Sequence, residues 1–177
     1  GGASNGLYDC EFISNFIDKF YELFHKKSHS MKYFTIEELC KSKTATEKGI
    51  KNVPDATEKA RMVLLVDKIL DPLREAWGAP IIVTSGFRCD KLNKLVGGAT
   101  NSQHRRGEAA DIHTKSDTPE DNKKLWDLII KLKLPFDQMI NEQNFNWVHV
   151  SYGPRKRRQK LDAVKRNERW YYTLSKY

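Results

Sequence analysis

Cysteine is scarce in this sequence, and no two cysteines stand at a metal-binding spacing. Cys10, Cys40 and Cys89 are odd in number and far apart in the chain. An odd number without a CxxC motif indicates neither a framework of disulfides nor a zinc site built from cysteines. We therefore expect reduced, packed thiols.

Long hydrophobic runs are also lacking, as are internal repeats and low-complexity segments. No apolar stretch approaches the roughly 20 residues that span a bilayer, so the sequence predicts no transmembrane segment. The opening GGASNG lacks the basic-then-apolar order of a signal peptide. Because the sequence begins at glycine rather than methionine, the question of whether an export signal preceded it stays open.

Acidic residues are outnumbered by basic ones. The 177 residues include 31 Lys and Arg against 23 Asp and Glu, which gives a net charge of +8, and 39% are hydrophobic. This length suits one domain with its own core better than two. The charge favours an anionic partner but does not choose between nucleic acid, membrane and cell-wall polymer.

We divide the chain into a leader, residues 1–30, and a main domain, residues 31–177, that ends in a basic extension. In the leader, apolar residues recur three and four positions apart, which is typical of an amphipathic helix. This helix is expected to dock on the main domain or on a neighbouring chain, so it is a candidate for subunit contacts, and the oligomeric state stays open. Contact with a membrane surface is the alternative. The extension opens with RKRRQK at residues 155–160, typical of a solvated loop or, alternatively, of attraction to anionic cell-wall polymer or lipid.

The periodicity of the main domain predicts an α+β fold. Helical spacing predicts a main core helix from Thr57 to Trp77, bent at Pro72, and a second helix from Thr118. Residues 42–54 have the composition of a surface loop, and the Trp-Tyr-Tyr run at residues 170–172 indicates core or edge-strand packing. Predicted strands cover residues 80–85 (a buried strand), 108–114, 136–142 and 147–152, with a candidate last strand at 169–174.

A hairpin is predicted on either side of Gln143–Asn146. If this four-residue loop closes an antiparallel pair, Glu142 lies opposite Trp147 and Ile140 lies opposite His149. Glu142 and His149 then share one face of the sheet.

Two histidines and an aspartate are the candidate metal ligands. His104 and Asp111 stand seven residues apart with Gly107 between them, where a glycine permits a turn. His149 would come from an adjacent strand. Two neutral imidazoles and one carboxylate leave a tetrahedral ion one open position for water, which favours a single catalytic Zn²⁺. The alternative is structural: a loop cap, an acceptor of backbone hydrogen bonds and a core histidine.

Five blocks, in order, resemble the zinc D-Ala-D-Ala carboxypeptidase family of metallopeptidases. The blocks are SGFR (85–88), LNKLVGG (92–98), SQHRRGEAADI (102–112), FDQMINE (136–142) and WVHVSY (147–152). The similarity is greatest to the small single-domain branch, which also takes in peptidoglycan endopeptidases and phage endolysins. It covers roughly residues 33–154, so residues 31–177 are interpreted as a zinc peptidase domain.

The resemblance implies a small antiparallel sheet flanked by helices, as in Hedgehog and DD-peptidase-like domains. It also implies that a bacterial or phage protein uses metal-activated water to hydrolyse an amide bond in peptidoglycan stem peptides, as a D,D-carboxypeptidase or an endopeptidase. The protein would act on the bacterial cell wall. It would do so either in the periplasm or elsewhere outside the cytoplasm, or as a phage-encoded protein that is released at lysis. A nucleic-acid partner is not expected, because the sequence lacks an ordered basic and aromatic surface.

The resemblance also assigns roles to individual residues. Arg88 matches an arginine that binds substrate or steadies the transition state. Ser102 and Gln103 lie in the block that lines the metal pocket, which makes them candidate substrate-binding residues. The zinc ligands would be His104, Asp111 and His149.

One position departs from the family pattern. Many members carry a catalytic Glu or Asp three residues before the last histidine, where this chain has Asn146. An amide cannot take a proton from water. We therefore expect Glu142 to be the general base, with Asp137 second and Glu108 third. The alternative is a non-catalytic, metal-containing module that binds cell wall or a partner protein.

Overall fold

Helices and strands are interspersed through residues 31–177, the part of the chain that the structure, a computed structural model, describes. The predicted leader helix in residues 1–30 lies outside the described residues. The α-helices are α1 (Ile36–Cys40), α2 (Lys43–Glu47), α3 (Ala56–Leu65), α4 (Asp71–Trp77), α5 (Asp90–Leu95) and α6 (Pro119–Lys131). The strands are β1 (Ile81–Ser85), β2 (Ala109–Thr114), β3 (Gln138–Glu142), β4 (Trp147–Ser151), β5 (Gln159–Arg166) and β6 (Arg169–Leu174). This is the α+β class that the periodicity predicts. Among the described helices, none combines the length and apolar character that a membrane crossing needs.

The strands form a single six-stranded sheet in the order β1-β2-β4-β3-β5-β6. Every neighbouring pair is antiparallel except β3 and β5, which are parallel. The sheet is therefore mixed rather than wholly antiparallel as expected. The reason is the path of residues 152–158, which lead from the end of β4 past the start of β3 and bring β5 to the other side of β3.

The predicted hairpin register is confirmed. Glu142 pairs with Trp147 and Ile140 pairs with His149, across the predicted loop. Because loop length and alternation together fix which residues face each other, this part of the site could be predicted from sequence alone.

The main core helix is present but is interrupted by a π-helical segment, Val66–Leu70, between α3 and α4. Asp55 caps its start, and Asp55 and Glu58 exchange side-chain-to-backbone hydrogen bonds as a capping box. Pro72 lies in the first turn of α4. A proline cannot donate a backbone hydrogen bond and its ring displaces the carbonyl four residues earlier, which accounts for irregular helix at this point.

One face of the sheet packs against α6 and carries the core. Ile112, Val148 and Val150 are fully buried there, together with Trp126 of α6. Because side chains alternate along a strand, the residues between them point to the other face. That second face carries the candidate site.

Two local expectations were wrong. The predicted loop at residues 42–54 contains α2, because the Ser42 side chain accepts a hydrogen bond from the Ala45 amide and caps a short helix. The strand predicted as buried, β1, lies at the sheet edge, and only Ile81 in it is buried. The packing prediction for residues 170–172 is correct only in placing them on an edge strand, since all three side chains are exposed.

Candidate active site

Three candidate ligands from separate parts of the chain meet on the open face of the sheet. The Nε2 atom of His104 lies 3.2 Å from Nδ1 of His149 and 3.3 Å from Oδ1 of Asp111. The same Asp111 oxygen is 3.0 Å from His149 Nδ1. The three atoms therefore form a nearly equilateral triangle in a buried position.

Local structure explains how these side chains converge. Asp111 and His149 are directly paired neighbours on β2 and β4. His104 lies on a 3₁₀ turn, Gln103–Arg106, that ends at Gly107 with φ of 70°. A side chain at Gly107 would place its Cβ 2.5 Å from the Glu58 carbonyl oxygen, so only glycine fits this turn.

The triangle fits a tetrahedral metal ion. With metal–ligand bonds of about 2.0–2.1 Å, tetrahedral ligand atoms lie about 3.3 Å apart, close to the separations between these three atoms. The His104 Nδ1–H donates to the Gly86 carbonyl at 2.7 Å, an orientation that leaves Nε2 free to bind a metal. The second nitrogen of His149, Nε2, is buried without a hydrogen-bond partner in the described structure.

The charge states of Asp111 and His149 suit a metal site. Burial opposes ionisation of Asp111, but His104 and His149 hold the pKa of its carboxyl well below the usual range. Burial also lowers the pKa of His149, against the opposite pull of Asp111. A carboxylate beside a neutral imidazole is what zinc ligation requires.

Arg88 and Glu142 lie beside the three candidate metal ligands. Arg88 follows β1 and donates from Nε to Ser85 Oγ at 2.9 Å and from a terminal nitrogen to Asp111 Oδ2 at 3.2 Å. Glu142 is only 8% exposed. Burial, reinforced by the charge of Asp111 and opposed by Arg88, raises the pKa of Glu142 to about 8. A divalent cation beside it would lower this pKa again.

The predicted pocket residues Ser102 and Gln103 line the same cleft, whose volume is about 440 Å³. Ser102 Oγ accepts a hydrogen bond from the His104 amide at 3.3 Å, so it helps to shape the turn that carries this histidine. Gln103 is buried and donates to Asp137 at 2.8 Å.

A model of the peptidase M15 family matches residues 32–151. The chain belongs to the peptidase M15 family. The zinc D-Ala-D-Ala carboxypeptidase of Streptomyces albus G is similar to it, with 40% identity over 80 residues, which are 45% of this chain and 30% of that relative. The resemblance seen in the five sequence blocks is thereby confirmed, although the match spans less than a third of the relative.

The lower-ranked candidates for the base lie outside the cleft of this M15 domain. Asp137 is fully buried and bound by Arg157 and Gln103. Glu108 is buried beside Arg106. Asn146, the residue at the position of departure, does not line the cleft. A carboxylate held by an arginine makes a poor proton acceptor, because the ion pair stabilises its charged form.

Several residues that line the cleft were missed by the sequence analysis. They come from the chain beyond the M15 match or from the start of β4, and they are Trp147, Arg155, Arg157, Leu161, Trp170 and Tyr172. The available signal was the alternation in RWYYTL, which puts Trp170 and Tyr172 on one strand face. Sequence periodicity could not show which face that was.

The basic extension is fixed to the domain by the side chains of Arg157 and Asp137. Arg157 donates from its backbone amide and Nε to Asp137 Oδ1 at 2.8 and 3.0 Å, and from a terminal nitrogen to Oδ2 at 2.7 Å. Burial would raise the pKa of Asp137, but these hydrogen bonds lower it overall. The run predicted as solvated therefore contains two arginines with structural partners, because Arg158 also donates to the Leu134 carbonyl and lies over the Phe136 ring.

Replacing Arg157 with alanine is expected to destabilise the domain by about 3 kcal/mol, because the Asp137 carboxylate would stay buried without its cationic partner. Urea unfolding at pH 7 measures this change. Because the folded-state pKa of Asp137 is depressed, the contribution is present above its unfolded-state pKa and is lost as the pH falls through the folded value. Arg155→Ala is the control, since Arg155 makes no ion pair with any described residue; equal losses in both variants would contradict the prediction.

Proposed function

We propose that this M15 peptidase uses zinc to hydrolyse an amide bond in peptidoglycan stem peptides, with the D-Ala-D-Ala bond as the leading candidate. The observation that carries the proposal is the triangle of His104 Nε2, Asp111 Oδ1 and His149 Nδ1. In the same cleft lies Glu142, whose carboxyl has no hydrogen-bond or ion-pair partner among residues 31–177. The printed name of the Streptomyces albus G relative supports the choice of metal and of bond.

His104, Asp111 and His149 would hold the ion. Zinc bound there supplies a Lewis acid and lowers the pKa of water towards about 7. Asp111 has a second function, because its other oxygen fixes the Arg88 guanidinium at the edge of the cleft.

Glu142 is assigned the proton transfers. Its carboxylate takes the proton from the attacking water and passes it to the leaving amine, so the group must be ionised before attack and protonated after it. A pKa raised by burial suits this exchange near neutral pH.

Arg88 is assigned the stabilisation of negative charge on the substrate or on the intermediate. Its guanidinium can balance the charge on the tetrahedral intermediate or bind a carboxylate of the substrate. The carboxyl terminus of a stem peptide offers such a carboxylate for carboxypeptidase cleavage, whereas endopeptidase cleavage would use Arg88 for the intermediate alone.

The non-catalytic alternative rests on Asn146, the amide that stands where many family members carry their acid. The position of Glu142 supports the catalytic proposal instead, because Glu142 lines the cleft together with His104, Asp111 and His149, whereas Asn146 does not line it.

Mass spectrometry of muropeptides digested by the zinc-loaded protein tests the function. Loss of a terminal D-Ala from pentapeptide stems would identify a carboxypeptidase, and conversion of cross-linked dimers to monomers would identify an endopeptidase. Chelator-treated protein is the control and should give neither product. Absence of any new product across several wall types would refute the proposal.

A further inference from the structure

Asn52 is a half-buried side chain between α2 and α3 that makes three hydrogen bonds to the backbone of two other segments. Its Nδ2 donates to the Cys40 and Phe87 carbonyls, both at 2.9 Å, and its Oδ1 accepts from the Cys89 amide at 2.8 Å. An asparagine amide has two N–H donors, so both are used. The residue interpreted from sequence as part of a surface loop therefore joins the end of α1 to the turn after β1.

The Asn52 bonds enclose Arg88. One goes to the carbonyl of the residue before this arginine, and one comes from the amide of the residue after it. The Arg88 amide itself donates to the His104 carbonyl at 3.1 Å. The guanidinium is fixed separately, since its contacts are Ser85 Oγ at 2.9 Å and Asp111 Oδ2 at 3.2 Å. The backbone bonds thus determine the point from which the arginine side chain reaches the cleft.

The neighbouring metal ligand is held by different contacts. The Gly86 carbonyl accepts from His104 Nδ1 at 2.7 Å, and the Phe87 amide donates to the Leu39 carbonyl at 2.8 Å. A side chain at Gly86 would place its Cβ 2.3 Å from that Leu39 oxygen, so this close approach requires glycine. None of these contacts uses Asn52. Loss of the Asn52 amide should therefore disturb the arginine more than the histidine.

We propose that Asn52 is a positioning residue for Arg88, which sets the place of the guanidinium in the cleft and so its ability to stabilise negative charge. This inference rests on the proposed function, which gives Arg88 that task. Asn52 is neither a candidate metal ligand nor a residue that lines the cleft. Its effect is transmitted through the backbone on both sides of the arginine.

A double-mutant cycle tests the inference. At saturating zinc, Asn52→Ala should lower kcat/KM for stem-peptide hydrolysis at least about tenfold, since a misplacement of about 1 Å can cost about 100-fold. In an Arg88→Ala background the same substitution should change kcat/KM less than about twofold, because no guanidinium is left to misplace. The zinc content of Asn52→Ala should match the wild type. Equal losses in both backgrounds would leave Asn52 a purely structural role and overturn the inference.

Asn52→Asp separates hydrogen bonding from packing. The carboxylate has nearly the shape of the amide and still accepts from the Cys89 amide. Its second oxygen, however, would face the Cys40 and Phe87 carbonyls without a proton to donate. We expect kcat/KM at pH 7 to fall at least as far as in Asn52→Ala. A wild-type rate in Asn52→Asp would overturn the inference, because shape alone would then suffice.

Asn122 of α6 provides a matched control, because it makes the same kind of bridge elsewhere. Its Nδ2 donates to the Phe145 and Asn146 carbonyls, both at 3.0 Å, and its Oδ1 accepts from the Thr114 amide at 2.8 Å. These partners lie in β2 and in the loop between β3 and β4. Whatever factor Asn122→Ala takes from kcat/KM should be the same with and without Arg88, as expected for independent sites.

Hydrogen exchange separates this inference from the proposed function. In nitrogen-labelled protein, nuclear magnetic resonance follows the Arg88 Nε–H, which is hydrogen-bonded in the wild type. Asn52→Ala should speed its exchange at least about tenfold and Asn122→Ala should not, because only the first loosens the loop locally. That result would uphold the positioning role even if the wild type hydrolysed nothing. Unchanged exchange in Asn52→Ala would overturn it while leaving hydrolysis untouched.

Discussion

Replacing Glu142 with glutamine is expected to lower kcat for stem-peptide hydrolysis by about 10²–10⁴-fold. Glutamine has nearly the same shape but cannot accept the proton from water. Zinc should remain bound, because Glu142 does not belong to the ligand triangle. The measurement is kcat by mass spectrometry, together with the zinc content of the dialysed protein.

The pH profile gives the same prediction a second readout. Because the base must be ionised, kcat/KM of the wild type should fall as the pH drops through the pKa of Glu142. That limb should lie below pH 8, since burial alone brings the pKa to about 8 and a bound cation lowers it. The limb should be absent in Glu142→Gln.

Asn146→Ala is the matched control for this prediction. It changes the residue that stands where many family members carry their acid, and its side chain does not line the cleft. Its kcat should stay within about twofold of the wild type. Glu142→Gln protein that keeps both its zinc and its full rate would show that another group is the base.

Asp111→Ala is expected to abolish zinc binding and hydrolysis together. The substitution removes the only negative charge of the triangle and leaves two neutral imidazoles, so zinc affinity should fall more than about 100-fold, beyond the loss typical of residues outside the first coordination shell. Zinc per chain after dialysis measures the affinity. The rise in Tm on adding zinc, which binding to the folded state alone produces, should also disappear.

His113→Ala is the control for the metal site. His113 lies two residues from Asp111 on β2, but it hydrogen-bonds to the Thr114 carbonyl at 2.7 Å and does not belong to the triangle. Its zinc content and rate should match the wild type. One zinc per chain retained by Asp111→Ala would contradict the assigned ligands.

The part of the site that sequence predicted correctly is the part controlled by short-range rules. The four-residue loop after Glu142 and the alternation of β3 and β4 determine that Glu142 and His149 face the same side. Gly107 marks the turn that carries His104. Each depends on residues close together in the chain, where φ preferences and strand period limit the choices.

The sequence carried no comparable signal for the parallel pairing of β5 with β3, or for the position of Trp170 and Tyr172 in the wall of the cleft. Both involve contacts between distant segments, among them the ion pair of the buried Asp137 with Arg157, which joins residues 152–158 to the start of β3. A carboxylate before one strand and an arginine in a basic run carry no local sign of pairing. For the same reason Asp137 remained a candidate base in the sequence and proved to be a structural ion-pair partner.

The sequence by itself determined the α+β class, the M15 resemblance and the identity of the three residues that meet as a candidate metal site, because periodicity and motif order are properties of neighbouring residues. Only the tertiary structure decided which carboxyl lies near the three candidate ligands without an ion-pair partner in the described part of the chain, and which aromatic residues line the cleft. These are properties of contacts between distant segments, and they depend on the sheet order and on the burial of individual charges.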